Sequence, residues 1–255
     1  LMSTVTLCAQ ENRDETITNK LYFGQTRPGL TPEIFAPDII TPKNEVQNCL
    51  TIYPDGKEIY WGLWYPEKKI NKILCSKLKD NKWTQPEFIF TSAEQNYNDD
   101  APFLSPDGTR LYFISRRPSY QGDTSKLETV WVAERKNNGW SEPILLPKII
   151  NSMEFHMQFS VAEDYSMYFK SKKGSPSKNN DIYCSSYQNG HYLEPKKLGE
   201  SINTDFSEFT PYISRSKNFL IFARYGMSDG FGGSDLYISF KNADGTWSQS
   251  MNLGD

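Results

Sequence analysis

The sequence predicts an all-β propeller of four-stranded antiparallel blades, with four complete blades between residues 45 and 255. A unit of about 50 residues recurs four times, which is the length of one propeller blade. Aromatic residues make up 14% of the chain, and no segment keeps the 3.6-residue apolar period of a helix. The predicted blades span residues 45–95, 96–151, 152–203 and 204–255.

Each repeat begins with a strand, strand A, that ends at a tight turn. The turn is Tyr53-Pro54-Asp55-Gly56 in the first repeat and Ser105-Pro106-Asp107-Gly108 in the second. Pro presets φ for such a turn, Asp caps it, and Gly takes the positive φ. Residues 161–164 and 214–217 hold this position in the other repeats without the Pro-Asp-Gly sequence. An apolar-aromatic strand B follows, for example Leu111-Tyr112-Phe113.

A third strand, a polar turn and a fourth strand complete the pattern. The third strands, C, are predicted at residues 72–76, 129–133, 181–185 and 235–239. An aromatic residue follows the next turn in every repeat, at Trp83, Trp140, Tyr192 and Trp247. We therefore expect strands A to D in each blade, with strand A lining the central channel and strand D outermost.

The Ser-Pro-Asp-Gly turn followed by an apolar-aromatic strand resembles the WD40-like repeat of TolB-type β-propellers. Such propellers occur in bacterial periplasmic proteins and in the propeller domains of prolyl-oligopeptidase-like peptidases. The resemblance covers about residues 21–255 and implies the propeller fold. It implies little about function, because the shared residues make turns and fill the core.

The first 20 residues differ from the rest and predict export. Residues 1–10 are apolar and small and precede a charged run, which indicates the remnant of a signal peptide cleaved near Ala9, followed by a polar linker. A lipid anchor at Cys8 is the alternative, although Leu7 is larger than the residue that usually precedes such a cysteine. We expect a periplasmic or extracellular bacterial protein with no transmembrane segment.

Residues 21–44 predict how the ring of blades closes. The stretch at residues 31–40 resembles the fourth-strand pattern of residues 142–150, so we expect it to be the outer strand of a closing blade. The fourth repeat already has its own strand D, around residues 248–253. The expectation is therefore a fifth blade in the full-length protein, with inner strands beyond residue 255.

Long B–C connections predict a binding face, because long loops on a rigid scaffold often carry function. They cover residues 63–71, 115–127, 170–180 and 223–234, with formal charges that add up to +7 in a chain of net charge −3. We expect a partner such as an anionic glycan, an envelope polymer or an acidic protein patch. The alternative is solvated hairpin tips whose aromatics fold back on the blades. The candidate binding residues are Trp64, Tyr65, Arg116, Arg117, Tyr120, Lys172, Lys173, Arg224 and Tyr225.

Polar residues near the start of strand A predict a second candidate site, at the mouth of the central channel. Carboxylate pairs such as Asp99 with Glu208 are the kind of group that a glycosidase uses. The alternative is that these side chains hydrate the channel or cap neighbouring backbone. The candidate residues are Gln47, Asn48, Asp99, Asp100, His156 and Glu208.

No catalytic residue is predicted, because the one nucleophile motif lacks its context. Residues 226–230 match G-x-S-x-G around Ser228, but that motif needs a following helix and a later His. A glycine-rich loop follows here, and both histidines, His156 and His191, precede Ser228. Two histidines are also too few for a metal-dependent lyase, so no metal or cofactor is expected.

The sequence favours a non-catalytic binding or scaffold propeller that recognises a cell-envelope component, glycan or protein through its long-loop face. The alternative is a carbohydrate-active enzyme, a glycosidase or lyase, that uses carboxylates at the channel mouth. The small net charge argues against a nucleic-acid partner.

Overall fold

The computed structural model describes residues 25, 29, 31, 33–37, 39–40, 46–90, 97–120, 122, 125, 127–137, 139–153, 159–174, 179–228 and 230–254. Within these residues, four antiparallel sheets form the four blades of a β-propeller, which confirms the predicted fold class. The only helix of the described residues is the single turn α1 (Lys148–Asn151), so this part of the chain contains none that could cross a membrane.

In each blade, four main strands pair antiparallel in chain order. Blade 1 contains β1 (Val46–Ile52), β2 (Glu58–Tyr65), β3 (Ile70–Lys79), the short β4 (Lys82–Trp83) and β5 (Glu87–Phe88). Blade 2 contains β6 (Asp99–Leu104), β7 (Arg110–Ser115), β8 (Thr129–Lys136), the short β9 (Gly139–Trp140) and β10 (Ile144–Leu145). Blade 3 contains β11 (Phe159–Val161), β12 (Met167–Ser171), β13 (Asp181–Ser185), the short hairpin β14 (Tyr187–Gln188) and β15 (His191–Tyr192), and β16 (Lys196–Lys197). Blade 4 contains β17 (Ser207–Ile213), β18 (Phe219–Tyr225), β19 (Ser234–Phe240) and β20 (Met251–Asn252).

The turn between strands A and B has one geometry in all four blades. Gly56 and Gly108 both have φ of 72°, as the Pro-Asp-Gly sequence predicts. Tyr165 and Lys217 take the corresponding place in blades 3 and 4, with φ of 62° and 59°. The turn of blade 3 thus spans residues 162–165, one residue later than the predicted 161–164. The tight turn therefore persists in the two repeats that have lost the glycine, at some cost in backbone strain.

A β-bulge interrupts strand A at the same place in blades 1, 2 and 4. The bulged residues are Cys49, Ala101 and Thr210, with φ of 38°, 50° and 49°. Non-glycine residues rarely adopt this left-handed conformation, and bulges of this kind re-aim the side chains around them. The predicted channel-mouth residues of these three blades lie within two residues of a bulge.

Blades 2 and 3 each bury both faces of their sheets. We call the side that packs on the next blade the forward face and the other side the backward face. In blade 2, Tyr112 and Ile114 lie on the forward face and pack against blade 3. Leu111 and Phe113 alternate with them, lie on the backward face and pack against blade 1. Because both faces are covered, strand B is apolar at successive positions rather than at every second one.

The aromatic residue that recurs after strand C joins neighbouring blades. In blades 2, 3 and 4 it contacts the strand-B tyrosine of the preceding blade. Ring pairs of this kind, formed in two of the three cases, add about 0.5–1.5 kcal/mol each to the burial of their area. The pairs are Trp140 with Tyr60 at a ring-centroid distance of 5.9 Å, Tyr192 with Tyr112 through hydroxyls 3.4 Å apart, and Trp247 with Tyr168 at 6.4 Å.

An asparagine fastens the outer end of blades 2 and 3. In blade 3, Asn203 Oδ1 accepts the Ile182 N–H at 2.7 Å, and its Nδ2 donates to the carbonyls of Ile182 and Leu198 at 2.9 and 2.8 Å. Asn151 makes the same three hydrogen bonds in blade 2. One buried amide thus holds the end of the two-residue strand D against strand C.

We expect Asn203→Ala to lower the free energy of unfolding by about 3 kcal/mol, because it leaves one buried N–H and two carbonyls without their hydrogen-bond partner. Asn242→Ala is the matched control: its exposed side chain makes one hydrogen bond, to Thr246, and we expect a loss below about 1 kcal/mol. Urea unfolding followed by tryptophan fluorescence measures both. Equal losses in the two variants would contradict the role of Asn203.

Candidate functional site

The innermost strands of neighbouring blades lie side by side around the propeller axis. The Thr51 hydroxyl accepts the Leu104 N–H at 3.2 Å between blades 1 and 2, and the Ser160 hydroxyl accepts the Ile213 N–H at 2.9 Å between blades 3 and 4. These contacts hold neighbouring inner strands together at the ends next to the A–B turns, opposite to the channel mouth. The candidate site at the channel mouth is therefore built on a rigid frame of strands.

Asp100 lies at the junction of blades 1 and 2. Its side chain is 1% exposed, and it accepts hydrogen bonds from Asn48 Nδ2 at 3.1 Å and from the Ala101 N–H at 2.8 Å. Space for it is left by Gly62, where a Cβ would overlap the Asp100 carboxylate. Among the described residues, no cation forms an ion pair with this carboxylate. The structure thus brings the predicted residues Asn48 and Asp100 together.

Burial raises the pKa of the Asp100 carboxyl to about 6, because its charged form has lost its water. The hydrogen bonds from Ala101 and Asn48 offset part of this rise, and the charge of Glu128 adds to it. A carboxylic acid with this pKa exchanges its proton close to neutral pH. Groups of this kind are enriched at functional sites.

Asp99, the next residue in the same strand, has a different environment. Arg117 Nη2 lies 2.7 Å from Asp99 Oδ2, and the Ser115 hydroxyl donates to Asp99 Oδ1 at 2.6 Å. Four rings surround the Arg117 guanidinium, with centroids 4.9 to 5.4 Å from its Cζ atom: Phe90, Tyr97, Phe113 and Trp131. The pair is a desolvated ion pair that fastens the long loop of blade 2 to its inner strand.

Glu208 forms the corresponding ion pair in blade 4. Arg224 Nε donates to Glu208 Oε1 at 2.9 Å, and Arg224 Nη2 donates to the Ile202 carbonyl and the Ser250 hydroxyl. Burial raises the pKa of the Glu208 carboxyl, while hydrogen bonds from Thr204 and Arg224 offset part of the rise. Its other oxygen, Oε2, is buried without a hydrogen-bond partner among the described residues. Asp99 and Glu208, suggested by sequence as a carboxylate pair, thus each engage an arginine of their own blade.

The remaining channel-mouth candidates are less informative. Gln47 lies on β1, and its Nε2 is buried without a hydrogen-bond partner among the described residues. His156 lies outside the described residues. The binding role of the whole set stays a prediction.

The predicted long-loop face is less cationic than its sequence suggests. Arg117 and Arg224 are buried, because the buried acids Asp99 and Glu208 hold their guanidiniums. Arg116 is exposed but lies 2.7 Å from Glu128. The formal loop charge of +7 therefore overstates the charge that a partner would meet, and the binding role of this face stays a prediction.

The other candidates on this face divide into exposed and packed residues. Tyr120 and Tyr225 are 69% and 60% exposed. Lys172 and Lys173 are also exposed, with Lys173 Nζ donating to the Ser152 carbonyl at 3.1 Å. Trp64 and Tyr65 end β2, and Tyr65 packs against Phe88 at a ring-centroid distance of 5.8 Å. The contact between Tyr65 and Phe88 fits the alternative in which aromatics fold back on the blade.

Ser228 lies in the turn between β18 and β19, and it is exposed. Both flanking elements are strands, so the strand-turn-helix context that a nucleophilic serine of this motif requires is not formed. Within the described ranges, no cluster of three or more His, Cys, Asp or Glu side chains is arranged to hold a metal ion.

Solved structures with the same fold have different activities. The endo-arabinase of Bacteroides thetaiotaomicron matches with a TM-score of 0.53 and 13% identity, over 88% of this chain and 85% of that one. A puromycin-hydrolysing peptidase of Mycobacterium tuberculosis matches with a TM-score of 0.51 and 11% identity, over 84% of this chain and 29% of that one. The propeller domain of the trilobed protease from Pyrococcus furiosus has a TM-score of 0.44 and 12% identity, over 83% and 58%.

The two matches with TM-scores above 0.5 show the propeller fold alone, because a fold at such low identity is shared by many functions. This chain spans less than a third of the length of the first peptidases that it matches. No family model and no curated protein matches the sequence. Membership of the WD40-like, TolB-type family therefore stays a prediction.

We expect Arg117→Met to lower the free energy of unfolding by about 3 kcal/mol or more, because it leaves the buried Asp99 side chain without its ion-pair partner. Arg116→Met is the control next to it in the chain. The Arg116 side chain is 51% exposed against 10% for Arg117, so its loss should cost below about 1 kcal/mol. Similar costs for both arginines, measured by urea unfolding, would refute the structural role of Arg117.

Asp100→Asn should stabilise the protein at pH 8 and leave its stability unchanged near pH 3.5. Burial raises the Asp100 pKa from 3.8 to about 6. The contribution of this carboxyl to the free energy of unfolding is therefore complete below pH 3.8 and is lost as the pH rises through 6. The two-unit shift corresponds to about 3 kcal/mol, which the neutral Asn would recover at pH 8. Urea unfolding at both pH values measures the difference. The exposed Asp205→Asn is the control, and an Asp100→Asn gain that does not depend on pH would contradict the assignment.

Proposed function

We propose that the protein is a carbohydrate-active propeller, a glycosidase or lyase, in which Asp100 carries the proton of the reaction. The observation that supports this proposal most is the environment of that carboxyl. It is buried at the junction of two inner strands, lies between two bulges, and has a pKa of about 6. Strained backbone and a perturbed carboxyl at one place are features of functional sites.

Cleavage of a glycosidic bond needs a carboxylic acid that still holds its proton near neutral pH. Burial without a paired cation provides this state at Asp100. Asp99, one residue earlier, is instead ion-paired with Arg117 at 2.7 Å. The two neighbouring carboxyls thus differ in their surroundings, because an arginine contacts Asp99 while only neutral hydrogen-bond donors contact Asp100.

A substrate would reach Asp100 from the side of Asn48 and Cys49, since Cys49 is exposed at the bulge of β1. The Asn48 amide donates a hydrogen bond to Asp100. It would either bind the substrate itself or give up this hydrogen bond so that Asp100 can contact the substrate. In this proposal the buried pairs of Arg117 and Arg224 hold the frame, and neither guanidinium contacts the substrate.

A non-catalytic binding propeller is the second candidate, and it is favoured by exposed aromatic residues on the long-loop face. Tyr120, Tyr225 and Phe231 are each more than half exposed. Exposed aromatic rings supply contact area to protein and sugar partners, and Lys172 adds an exposed charge on the loop of blade 3. The partner in this case would be a glycan, an envelope component or a protein.

We expect the protein to cleave at least one member of a panel of plant and bacterial polysaccharides, faster at pH 5 than at pH 7.5. Asp100→Asn should lower kcat by about 100-fold or more, because a general acid contributes 10²–10⁴-fold. Chromatography of the released sugars measures both cleavage and any unsaturated lyase product.

Asp205→Asn is the matched control, since Asp205 is exposed and the same chemical change should leave kcat unaltered. Full activity of Asp100→Asn would remove Asp100 from the mechanism. Binding without turnover, weakened by Tyr120→Ala or Tyr225→Ala, would instead establish the second candidate.

A further inference from the structure

Blade 4 carries an apolar forward face that the described residues leave uncovered. One row of directly paired residues crosses all four of its strands: Tyr212, Ile221, Ile238 and Met251. Tyr212 and Met251 at the two ends are 51% and 54% exposed. Phe240, Leu236 and Leu253 extend the same face, each between 45% and 51% exposed. The opposite face of this sheet is buried against blade 3 through Leu220 and Phe222.

Corresponding positions in blade 3 are covered. Leu236 is paired with Ala223 and its carbonyl accepts the Leu253 N–H, just as Ile182 is paired with Lys170 and accepts the Leu198 N–H. Ile182 is 0% exposed because blade 4 packs on it, whereas Leu236 is 51% exposed. The side chain at this position is thus apolar in both blades, and the difference lies in what covers it.

The backward face of blade 1 is covered by a short segment that precedes it. Ile40 packs on Ile59 and Trp61 there, and its N–H donates to the Ala36 carbonyl at 3.0 Å. Ile202 at the end of blade 3 covers the next blade in a similar way, since it packs on Leu220 and Phe222 of blade 4. Its N–H donates to the Gly199 carbonyl, three residues earlier, at 3.0 Å.

Ile150 gives a third example of this arrangement. It follows strand D of blade 2 and packs on Met167 and Phe169 of blade 3. Ile202 and Ile150 each belong to one blade and cover the backward face of the next blade. Residues 35–40 therefore occupy the place of the outer end of a blade that comes before blade 1 in the ring. The four described blades contain no inner strands for it.

We propose that a fifth blade of the same repeat, in the same polypeptide, fills the space between the forward face of blade 4 and residues 33–40. Three antiparallel strands would form its inner part, and residues 33–40 would add the fourth, outer strand. Its backward face would be apolar and would cover Tyr212, Leu236 and Met251. The proposal does not depend on the carbohydrate-active function, since it follows from how three successive blade interfaces are built.

A second copy of the chain is the other partner that such a face could take. The described interfaces argue against it, because a forward face always meets a backward face in this protein. Two copies with their blade-4 faces together would join forward to forward. The backward face of blade 1 is already partly covered by Ile40, so a head-to-tail pair would also have to displace that segment.

The test uses the protein expressed from its complete gene, with lysine placed at corresponding positions. Leu236→Lys should lower Tm by about as much as Ile182→Lys, roughly 10 °C or more, because both would bury a charge between blades. Ile144→Lys is the control on an exposed outer strand, where Ile144 is 58% exposed, and its Tm should change little. Leu236→Ala and Ile182→Ala repeat the comparison with milder variants in case a lysine variant does not fold.

Mass in solution is measured for the same proteins by light scattering. A monomer in which Leu236 and Ile182 variants lose similar stability supports the fifth blade. A Leu236→Lys variant that behaves like Ile144→Lys would show that the face is open to solvent and would overturn the proposal. A dimer that Leu236→Lys converts to a monomer would assign the face to a second copy, and would overturn it as well.

Discussion

The structure depends on one constraint: each blade is a sheet with two apolar faces, and both must be buried. Tyr112 and Ile114 face one neighbour while Leu111 and Phe113 face the other, so blade 2 has no side that suits water. A single blade in water would leave both of these apolar faces exposed, which is unfavourable. Stability therefore comes from stacking blades in sequence, and each interface uses the same residue positions. The turns, the aromatic contacts and the asparagine side chains serve to hold these faces in register.

The fold was predictable because its signals are local and repeated. Turn residues such as Pro106, Asp107 and Gly108 act within four positions, and they mark the boundary between strands A and B. Where these residues are missing, as at Tyr165 and Lys217, the turn still forms with positive φ at a non-glycine residue. The period of the repeat indicated those two turns to within one residue, since the strand that follows remains apolar. Sequence could not indicate the bulges at Cys49, Ala101 and Thr210, because their three residue types have nothing in common.

The candidate site was predictable as a region and not as chemistry. Sequence placed Asp99, Asp100 and Glu208 at the inner ends of their blades, yet it treated neighbouring carboxylates as equivalent. Their environments differ because of residues that are distant in sequence. Gly62 of blade 1 leaves room for Asp100, and Arg117 forms an ion pair with Asp99. The same distance in sequence explains why Arg117 and Arg224 were counted as exposed charges. A loop arginine and a buried acid form a pair only when the fold brings them together.

All described strand pairing lies within single blades, and this has a consequence for how the chain folds during its synthesis. Each blade needs only its own run of about 50 residues, so it can form hydrogen bonds as soon as that run has left the ribosome. Its apolar forward face then stays exposed until the residues of the next blade have been synthesised. The growing chain always presents one such face to its surroundings, and the face moves from Tyr60 to Tyr112 to Tyr168 as synthesis proceeds. Premature release of the chain at any of these stages would leave an apolar sheet exposed, and chaperones would meet that surface first.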